Sequence, residues 1–222
     1  LQGYPSPQKP RIVGDNFRSI KSRIIASKRD QEFFDGDRNN GYGGFKYDGR
    51  WIPIASKINQ KYLNESSSNF LQINCEKGFL LNDIYNINPK ANVFGTENSE
   101  YAIKKSLKLI QKNIKFSEPT KLPFVDNFFD FVVALGTIYT LTLSDALQAL
   151  SEIIRVSKNK SFITLATYKT EEEYFLFKDW TLLGTLMFKR EEWIEILRSV
   201  NYKGYYYFTD ANSLNLIRKN IK

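Results

Sequence analysis

Residues 70–99 read FLQINCEKGFLLNDIYNINPKANVFGTENS and decide the fold. A strand-length apolar run opens the stretch, and Gly78 follows it at a turn. The next segment is helix-like and ends near Pro89, because proline stops a helix. Residues 91–95 predict a second strand, and Glu97 follows about 20 residues beyond the first turn. This arrangement is typical of a nucleotide-binding βαβ unit, in which backbone N–H groups near the helix start meet the ligand and a carboxylate holds ribose hydroxyls.

A second informative stretch, residues 122–136, reads LPFVDNFFDFVVALG. The first three residues suit a turn, and the apolar run that follows predicts a buried central strand. Leu135 and Gly136 then fall at the carboxyl end of that strand. Ligands of open α/β sheets bind at this edge, so we expect the site there.

The remaining elements alternate between helix and strand. Residues 17–25 predict an amphipathic helix, and five strands alternating with helices are followed by two C-terminal strands that close the sheet as a hairpin. The fold class expected is therefore α/β, a mostly parallel seven-stranded sheet with one antiparallel strand and helices on both faces. The other predicted segments are helices at 52–62, 100–110, 145–156 and 191–200 and strands at 114–116, 161–167, 205–208 and 214–219.

These residues resemble the cofactor half of class I S-adenosyl-L-methionine (SAM) dependent methyltransferases of the type 11 kind. The family pattern (V/L)-L-D-x-G-C-G-x-G falls on residues 71–78, where Gly78 keeps its identity. Gln72 stands in place of the aspartate, and Asn74 and Glu76 stand in place of two glycines. The stretch 122–136 is similar to the family pattern LPF-x-D-x-x-FD-x-V. A Rossmann-like class I methyltransferase fold is implied.

A glycine- and aromatic-rich stretch lies in the N-terminal part. Residues 41–51, GYGGFKYDGRW, resemble the GYGGYxYDGRW signature of a bacterial subgroup of these enzymes, and the likeness continues over residues 180–207. Such composition is typical of loops that come close to a ligand or pack over a site. We read residues 29–51 as a lid over the cofactor and substrate cleft, with a glycine-rich surface loop as the alternative.

The resemblance implies SAM as cofactor and a set of residues around it. Glu97 would grip the ribose diol, and Glu118 would bind the adenine amine, while Pro119 has no N–H to donate to the ring. Besides these, the expected cofactor-binding residues are Asn74, Cys75, Glu76, Gly78, Asn98, Leu135, Tyr42 and Gly43.

The chain contains no histidine and one cysteine. Catalysis by a Ser-His-Asp or Cys-His pair is excluded, and a zinc or iron–sulfur site is not expected. Methyl transfer needs mainly positioning of the acceptor, although an acceptor oxygen or nitrogen can require a general base. The candidate bases are Asp37, Asp48 and Tyr139.

Length and charge limit the possible domain organisation and the possible partners of the protein. At 222 residues the chain predicts one globular unit, with residues 1–62 as N-terminal arm, helix and lid and 63–222 as the α/β domain. Of the net charge of +8, the first 62 residues supply +6, from 12 Lys and Arg against 6 Asp and Glu. No run of five basic residues occurs, so nucleic acid is not expected as a partner. No apolar run reaches the ~18–20 residues of a membrane span and no signal peptide opens the chain, so we expect a cytoplasmic protein without membrane contact.

Two functions stay open at this point. The first is a SAM-dependent methyltransferase acting on a small-molecule acceptor, with a sugar or polysaccharide precursor suggested by analogy with the subgroup. The alternative is a catalytically inactive methyltransferase-fold protein that acts as a binding or partner subunit, as a homodimer or paired with an active homologue. A Rossmann dehydrogenase is disfavoured because no GxGxxG motif is present.

Overall fold

The computed structural model describes residues 7, 9–15, 17–43, 45–63 and 67–219. Between residues 52 and 116 the helices and strands alternate along the chain, as the sequence pattern predicts. In chain order they are β1 (Arg11–Val13), α1 (Ile20–Ser27), α2 (Gln31–Phe34), α3 (Ile52–Tyr62), β2 (Asn69–Ile73), α4 (Phe79–Ile87), β3 (Asn92–Glu97), α5 (Glu100–Lys104), β4 (Ile114–Phe116), β5 (Phe131–Ala134), α6 (Leu143–Val156), β6 (Ser161–Ala166), α7 (Glu171–Trp180), α8 (Arg190–Ser199), β7 (Tyr205–Thr209) and β8 (Leu216–Arg218).

The main sheet has six strands in the order β4-β3-β2-β5-β6-β7, and every pairing in it is parallel. The α/β class with a parallel sheet is confirmed. The strand count differs from the expected seven, and the described residues contribute no antiparallel strand. The reason is a turn after β7, in which the Ser213 N–H donates to the Asp210 carboxylate at 2.8 Å. This turn directs β8 away from the sheet, and β8 pairs in parallel with β1 instead.

The order of the strands places a crevice at one edge of the sheet. The chain proceeds from β2 outward to β3 and β4, and then crosses back to β5 on the other side of β2. The carboxyl ends of β2 and β5 therefore flank the point where the strand order reverses. In open α/β sheets this is where ligands bind.

The core lies on both faces of the sheet. One face of β2 and β5 packs against α6 and α8, and the other packs against α3 and α4. Trp193 of α8 is fully buried, and its indole N–H donates to the Ala166 carbonyl at 2.7 Å. Burial of apolar side chains on both faces makes the sheet a rigid support for the loops at its carboxyl edge.

Helix α1 is present but turns its apolar stripe outward. Ile20 is 73% exposed and Ile24 is 57% exposed, whereas Ser22 and Ala26 are buried. The small Ala26 allows α1 to pack closely against the aromatic cluster of α2. No helix among the described ranges is long and apolar enough to span a bilayer.

Candidate functional site

The loop between β2 and α4 keeps the backbone of a glycine-rich loop. Asn74, Glu76 and Gly78 all have left-handed backbones, with φ of 49°, 53° and 73°. Asparagine tolerates this region, whereas a left-handed glutamate costs roughly 1–2 kcal/mol. A Cβ atom at Gly78 would collide with the Ile110 side chain. The loop therefore has the conformation that glycines normally provide, with two side chains added to it.

Glu97 ends β3 and is completely buried, with 0% exposure. Its carboxylate accepts the backbone N–H of Glu76 at 2.8 Å and that of Ser99 at 3.0 Å. The loop after β2 and the turn after β3 are thus held to one carboxylate. Arg29 completes this arrangement, since its Nη2 donates to Glu97 Oε1 at 2.9 Å.

Arg29 comes from the turn between α1 and α2. Its side chain is only 16% exposed, and its guanidinium lies 5.7 Å from the ring centres of both Phe33 and Phe34. The Ser99 hydroxyl donates to the Arg29 carbonyl, so backbone and side chain are both fixed. A guanidinium of this protein therefore contacts the carboxylate that was expected to hold ribose.

The lid segment, residues 29–51, is anchored at several points. Lys77 Nζ donates to Asp35 Oδ1 at 2.6 Å and to the Phe45 carbonyl at 3.2 Å, which ties the segment to the loop after β2. Tyr47 donates its hydroxyl to Asp83 of α4 at 2.6 Å. These contacts place the described part of the segment over the carboxyl edge of the sheet.

Tyr42 anchors the other side of the lid segment. Its hydroxyl accepts the N–H groups of Leu182 at 2.7 Å and Leu183 at 3.0 Å. Its ring lies 5.1 Å from that of Trp180. The residues that resemble the subgroup signature thus contact the segment that continues the resemblance.

A cavity of about 380 Å³ lies beneath the lid segment. It extends from the loop after β2 to the ends of β6 and β7, and aromatic rings form much of its wall. Its lining includes Gln72, Glu76, Tyr139, Thr164, Trp180 and Tyr207. This volume and this mixture of aromatic and hydroxyl groups are typical of small-molecule sites.

Three buried acceptors at the strand ends have no partner among the described residues. They are Gln72 Oε1, Asn74 Oδ1 and Asn98 Oδ1. A buried polar atom without a hydrogen bond is costly, which favours a ligand that supplies N–H or O–H groups there. A nucleoside cofactor has such groups. The polar atoms of this edge fit SAM, provided that Arg29 leaves Glu97.

The structure brings most of the expected cofactor residues to one edge. Asn74, Cys75, Glu76 and Gly78 form the loop after β2, Glu97 and Asn98 end β3, and Tyr42 and Gly43 line the cavity. Cys75 is buried, and burial raises the pKa of its thiol well above the usual value. Such a thiol is a packing group and not a nucleophile.

Two expected residues lie further out. Glu118 is exposed, and its carboxylate accepts the Asn98 side-chain N–H at 3.0 Å, so it contacts the site through Asn98. Leu135 follows β5 and packs against the apolar core instead of lining the cavity.

The three candidate bases occupy different environments. Asp37 is exposed and accepts the Asn39 N–H at 2.7 Å, and it does not line the cavity. Asp48 is bound by Arg50, whose hydrogen bonds lower the pKa of the Asp48 carboxyl. Tyr139 lines the cavity. In the part of the chain that the structure describes, no group of three or more Cys, Asp or Glu side chains is suited to a metal ion.

Arg29, Lys77 and the orphaned Gln72 were missed as site residues by sequence reasoning. Nothing in the local pattern around Arg29 indicates contact with Glu97, 68 positions later. Gln72 had a usable signal, since it stands at the aspartate position of the family pattern.

An open parallel sheet, a crevice at the reversal of strand order and a carboxylate at the end of the second strand of the unit define a Rossmann-like α/β fold. Comparison with protein families narrows this class. Residues 71–165 match a family described as Methyltransferase domain. Residues 71–165 are therefore similar to a methyltransferase domain, and the resemblance to methyltransferases read from residues 70–99 and 122–136 is confirmed, whereas the subgroup signature of residues 41–51 stays a prediction.

Solved structures share this fold. YcgJ of Bacillus subtilis is 16% identical with a TM-score of 0.54 and is matched over 69% of this chain and 68% of its own. A putative methyltransferase of Bacillus halodurans is 15% identical with a TM-score of 0.52, over 67% and 68%. The [4+2]-cyclase SpnF is 14% identical with a TM-score of 0.54, over 90% and 75%. At such identities the likeness concerns the fold alone. The comparison with curated proteins gave no match.

Proposed function

We propose that this protein is a SAM-dependent methyltransferase that transfers a methyl group to a small-molecule acceptor. The observation that carries the proposal is the left-handed loop of residues 74–78, held to Glu97 beside a cavity of about 380 Å³. This combination supplies backbone amides, a carboxylate and a concave space at the edge of the sheet where ligands of such folds bind. The matched methyltransferase domain includes all of these loop residues.

The chain's own residues would hold the cofactor as follows. Glu97 would accept the ribose hydroxyls once Arg29 has moved, and Asn98, supported by Glu118, would face the adenine. The loop of residues 74–78 would meet the methionine part of the molecule. When bound, SAM supplies an electrophilic methyl group that needs no further activation by the protein.

The acceptor would occupy the cavity beyond the loop. Its walls offer the rings of Tyr139, Trp180 and Tyr207 together with the hydroxyls of Thr164 and Thr209. Rings beside hydroxyl groups suit a hydroxylated ring compound, and this supports a sugar or polysaccharide precursor as acceptor. The lid segment would exclude water and orient the acceptor, and positioning alone provides a large part of the rate of such a transfer. Tyr139 is the candidate base that lines this space.

The alternative, a catalytically inactive partner subunit, is not favoured, because the family match includes the loop in which Asn74 and Glu76 stand in place of two glycines. A cytoplasmic location, a homodimer and pairing with an active homologue stay predictions from the sequence.

The direct test is a calorimetric titration of the full chain with S-adenosylhomocysteine. We expect saturable binding to one site per chain. S-adenosylhomocysteine is the right probe because it has the adenosine and methionine parts of SAM and is chemically inert. Absence of binding up to about millimolar concentration, an affinity of only about 4 kcal/mol, would refute a SAM-dependent activity.

The role of the lid segment can be tested at Gly41. A Cβ atom there would collide with the backbone carbonyl of Phe33, which cannot move without displacing α2. We expect Gly41→Ala to cost about 1–3 kcal/mol of stability and to weaken S-adenosylhomocysteine binding about tenfold. Thermal unfolding and calorimetry measure the two effects.

Gly14→Ala is the matched control. A Cβ atom at Gly14 meets only the Lys219 side chain, at 3.9 Å. This variant should keep the stability and the ligand affinity of the natural chain. If Gly41→Ala binds the ligand as tightly as Gly14→Ala does, the segment is a surface loop and not a lid.

A further inference from the structure

Glu76 carries a side chain where the family pattern has a glycine. Its backbone N–H is fixed by Glu97 at 2.8 Å, and its left-handed φ of 53° sets the direction in which its side chain leaves the loop. The residue lines the cavity together with Gln72 and Lys77. The wall of the cavity therefore includes a residue with a carboxyl side chain, in a loop that Glu97 holds in place.

The charges next to this carboxyl group do not balance. Arg29 pairs with Glu97 at 2.9 Å, and Lys77 pairs with Asp35 at 2.6 Å. The Glu76 carboxylate forms neither a hydrogen bond nor an ion pair with any described residue. Two cations thus face three carboxylates, and Glu76 is the one left over.

The other charged groups of the cavity do not correct this imbalance at Glu76. Arg50 is bound to the Asp48 carboxylate through hydrogen bonds of 2.9 and 3.0 Å. Arg11 lies over the Trp180 ring, 5.3 Å from its centre, on the side of the cavity formed by β1 and α7. The remaining ionisable side chains of the lining are tyrosines and Cys75. Arg29 and Lys77, the positive groups near Glu76, are therefore paired with Glu97 and Asp35, and no further cation of the described lining pairs with Glu76.

The proton affinity of Glu76 reflects its surroundings. Burial raises the pKa, Arg29 and Lys77 oppose the rise and Glu97 adds to it, and the resulting pKa is about 7. Glu76 therefore gains its charge as the pH rises through neutrality. A cationic ligand that needs the carboxylate must bind better above this pKa than below it.

We propose that Glu76 is the counter-ion for the positively charged sulfonium of SAM and makes the site select SAM over the neutral thioether of S-adenosylhomocysteine. The inference rests on the proposed function and deepens it. In a site of low polarity an unpaired carboxylate and an unpaired cation stabilise each other strongly. After transfer the sulfur has lost its charge, so the same residue would favour exchange of product for fresh cofactor.

The experiment compares the affinities of SAM and S-adenosylhomocysteine at about pH 6 and about pH 8 by calorimetry. Both ligands have the same amino and carboxylate groups, so their ratio isolates the charge on sulfur. At about pH 8 we expect SAM to bind about tenfold more tightly than S-adenosylhomocysteine. At about pH 6, where most of Glu76 is protonated, we expect this preference to be about twofold or less.

Glu76→Gln keeps the shape of the side chain and removes its charge. We expect the preference for SAM to disappear at both pH values, with an unchanged unfolding temperature showing that the loop is intact. Glu100→Gln serves as the matched control, because Glu100 is an exposed carboxylate only three residues from Glu97. It should retain both the preference and its pH dependence.

Three outcomes are distinguishable. If neither ligand binds the natural chain, the proposed function is refuted. If both bind with equal affinity at both pH values, or if Glu76→Gln retains the preference, the proposed function stands and the role of Glu76 is refuted. If Glu76→Gln raises the affinities for SAM and S-adenosylhomocysteine by the same factor, the natural Glu76 side chain obstructs the site and is not a counter-ion.

Discussion

Replacing Arg29 with methionine should lower the free energy of unfolding by about 3–5 kcal/mol. The Glu97 carboxylate is fully buried, and Arg29 is the cation that pairs with it. Methionine retains much of the packing against Phe33 and Phe34 but leaves the buried Glu97 carboxylate without its cation. Because a buried charge without a partner is expensive, the penalty far exceeds that of a lost surface contact. Urea denaturation of the protein without ligand measures it.

Two variants separate the ion pair from other effects of the substitution. The double variant Arg29→Met with Glu97→Gln removes both charges, and we expect it to recover at least half of the lost stability. Arg23→Met is the matched control, since Arg23 donates to the carbonyls of Lys178 and Arg18 and pairs with no carboxylate among the described residues. It should cost about 1 kcal/mol. If Arg29→Met costs no more than this control, the pair does not persist in solution.

The strands and the helix around this pair could be predicted from the sequence because they follow from local patterns. Apolar runs of strand length and the proline after α4 placed β2, α4 and β3 within a few residues of their observed bounds. The position of the family pattern on residues 71–78 also located the loop between β2 and α4 correctly. Its backbone could not be inferred, because Asn74 and Glu76 replace glycines and only the φ values show that the conformation is retained.

Elements whose ends depend on side-chain competition were predicted less well. The helix expected over residues 100–110 ends at Lys104. Ser106 contributes to this end, because its hydroxyl donates to the Ile103 carbonyl at 2.7 Å and takes the place of a helical N–H donor. Apolar spacing alone does not reveal such a stop.

Contacts between distant segments were outside the reach of sequence reasoning. The strand expected over residues 214–219 is present as β8, but its partner is β1, some 200 positions earlier. Three-residue strands carry too little pattern to specify a partner. The contact between Arg29 and Glu97 is of the same kind, since it depends on how α1 and α2 pack against the sheet.

The same substitution of Arg29 should tighten the binding of S-adenosylhomocysteine by up to about 100-fold. In the natural chain, ribose hydroxyls reach Glu97 only after its pair with Arg29 is broken, so part of the binding free energy is spent on separating the two side chains. In Arg29→Met the unliganded protein has no such pair to break. The free energy that would separate the two side chains therefore adds to the binding free energy of the ligand. A shared contribution of about 3 kcal/mol corresponds to this factor. Calorimetry on the natural and variant chains at one temperature measures it.

Thermodynamic linkage relates the two effects expected of Arg29→Met, the loss of stability and the gain in ligand affinity, so that each can be checked against the other. If ligand and Arg29 compete for Glu97, the stability difference between the natural chain and Arg29→Met must shrink as S-adenosylhomocysteine is added, and at saturation it must have fallen by the same free energy that the affinity has gained. Arg23→Met should show a constant difference at every ligand concentration. Weaker binding by Arg29→Met, with an undiminished stability gap at saturation, would mean that Arg29 remains on Glu97 in the complex. The guanidinium would then be part of the binding site and not its competitor.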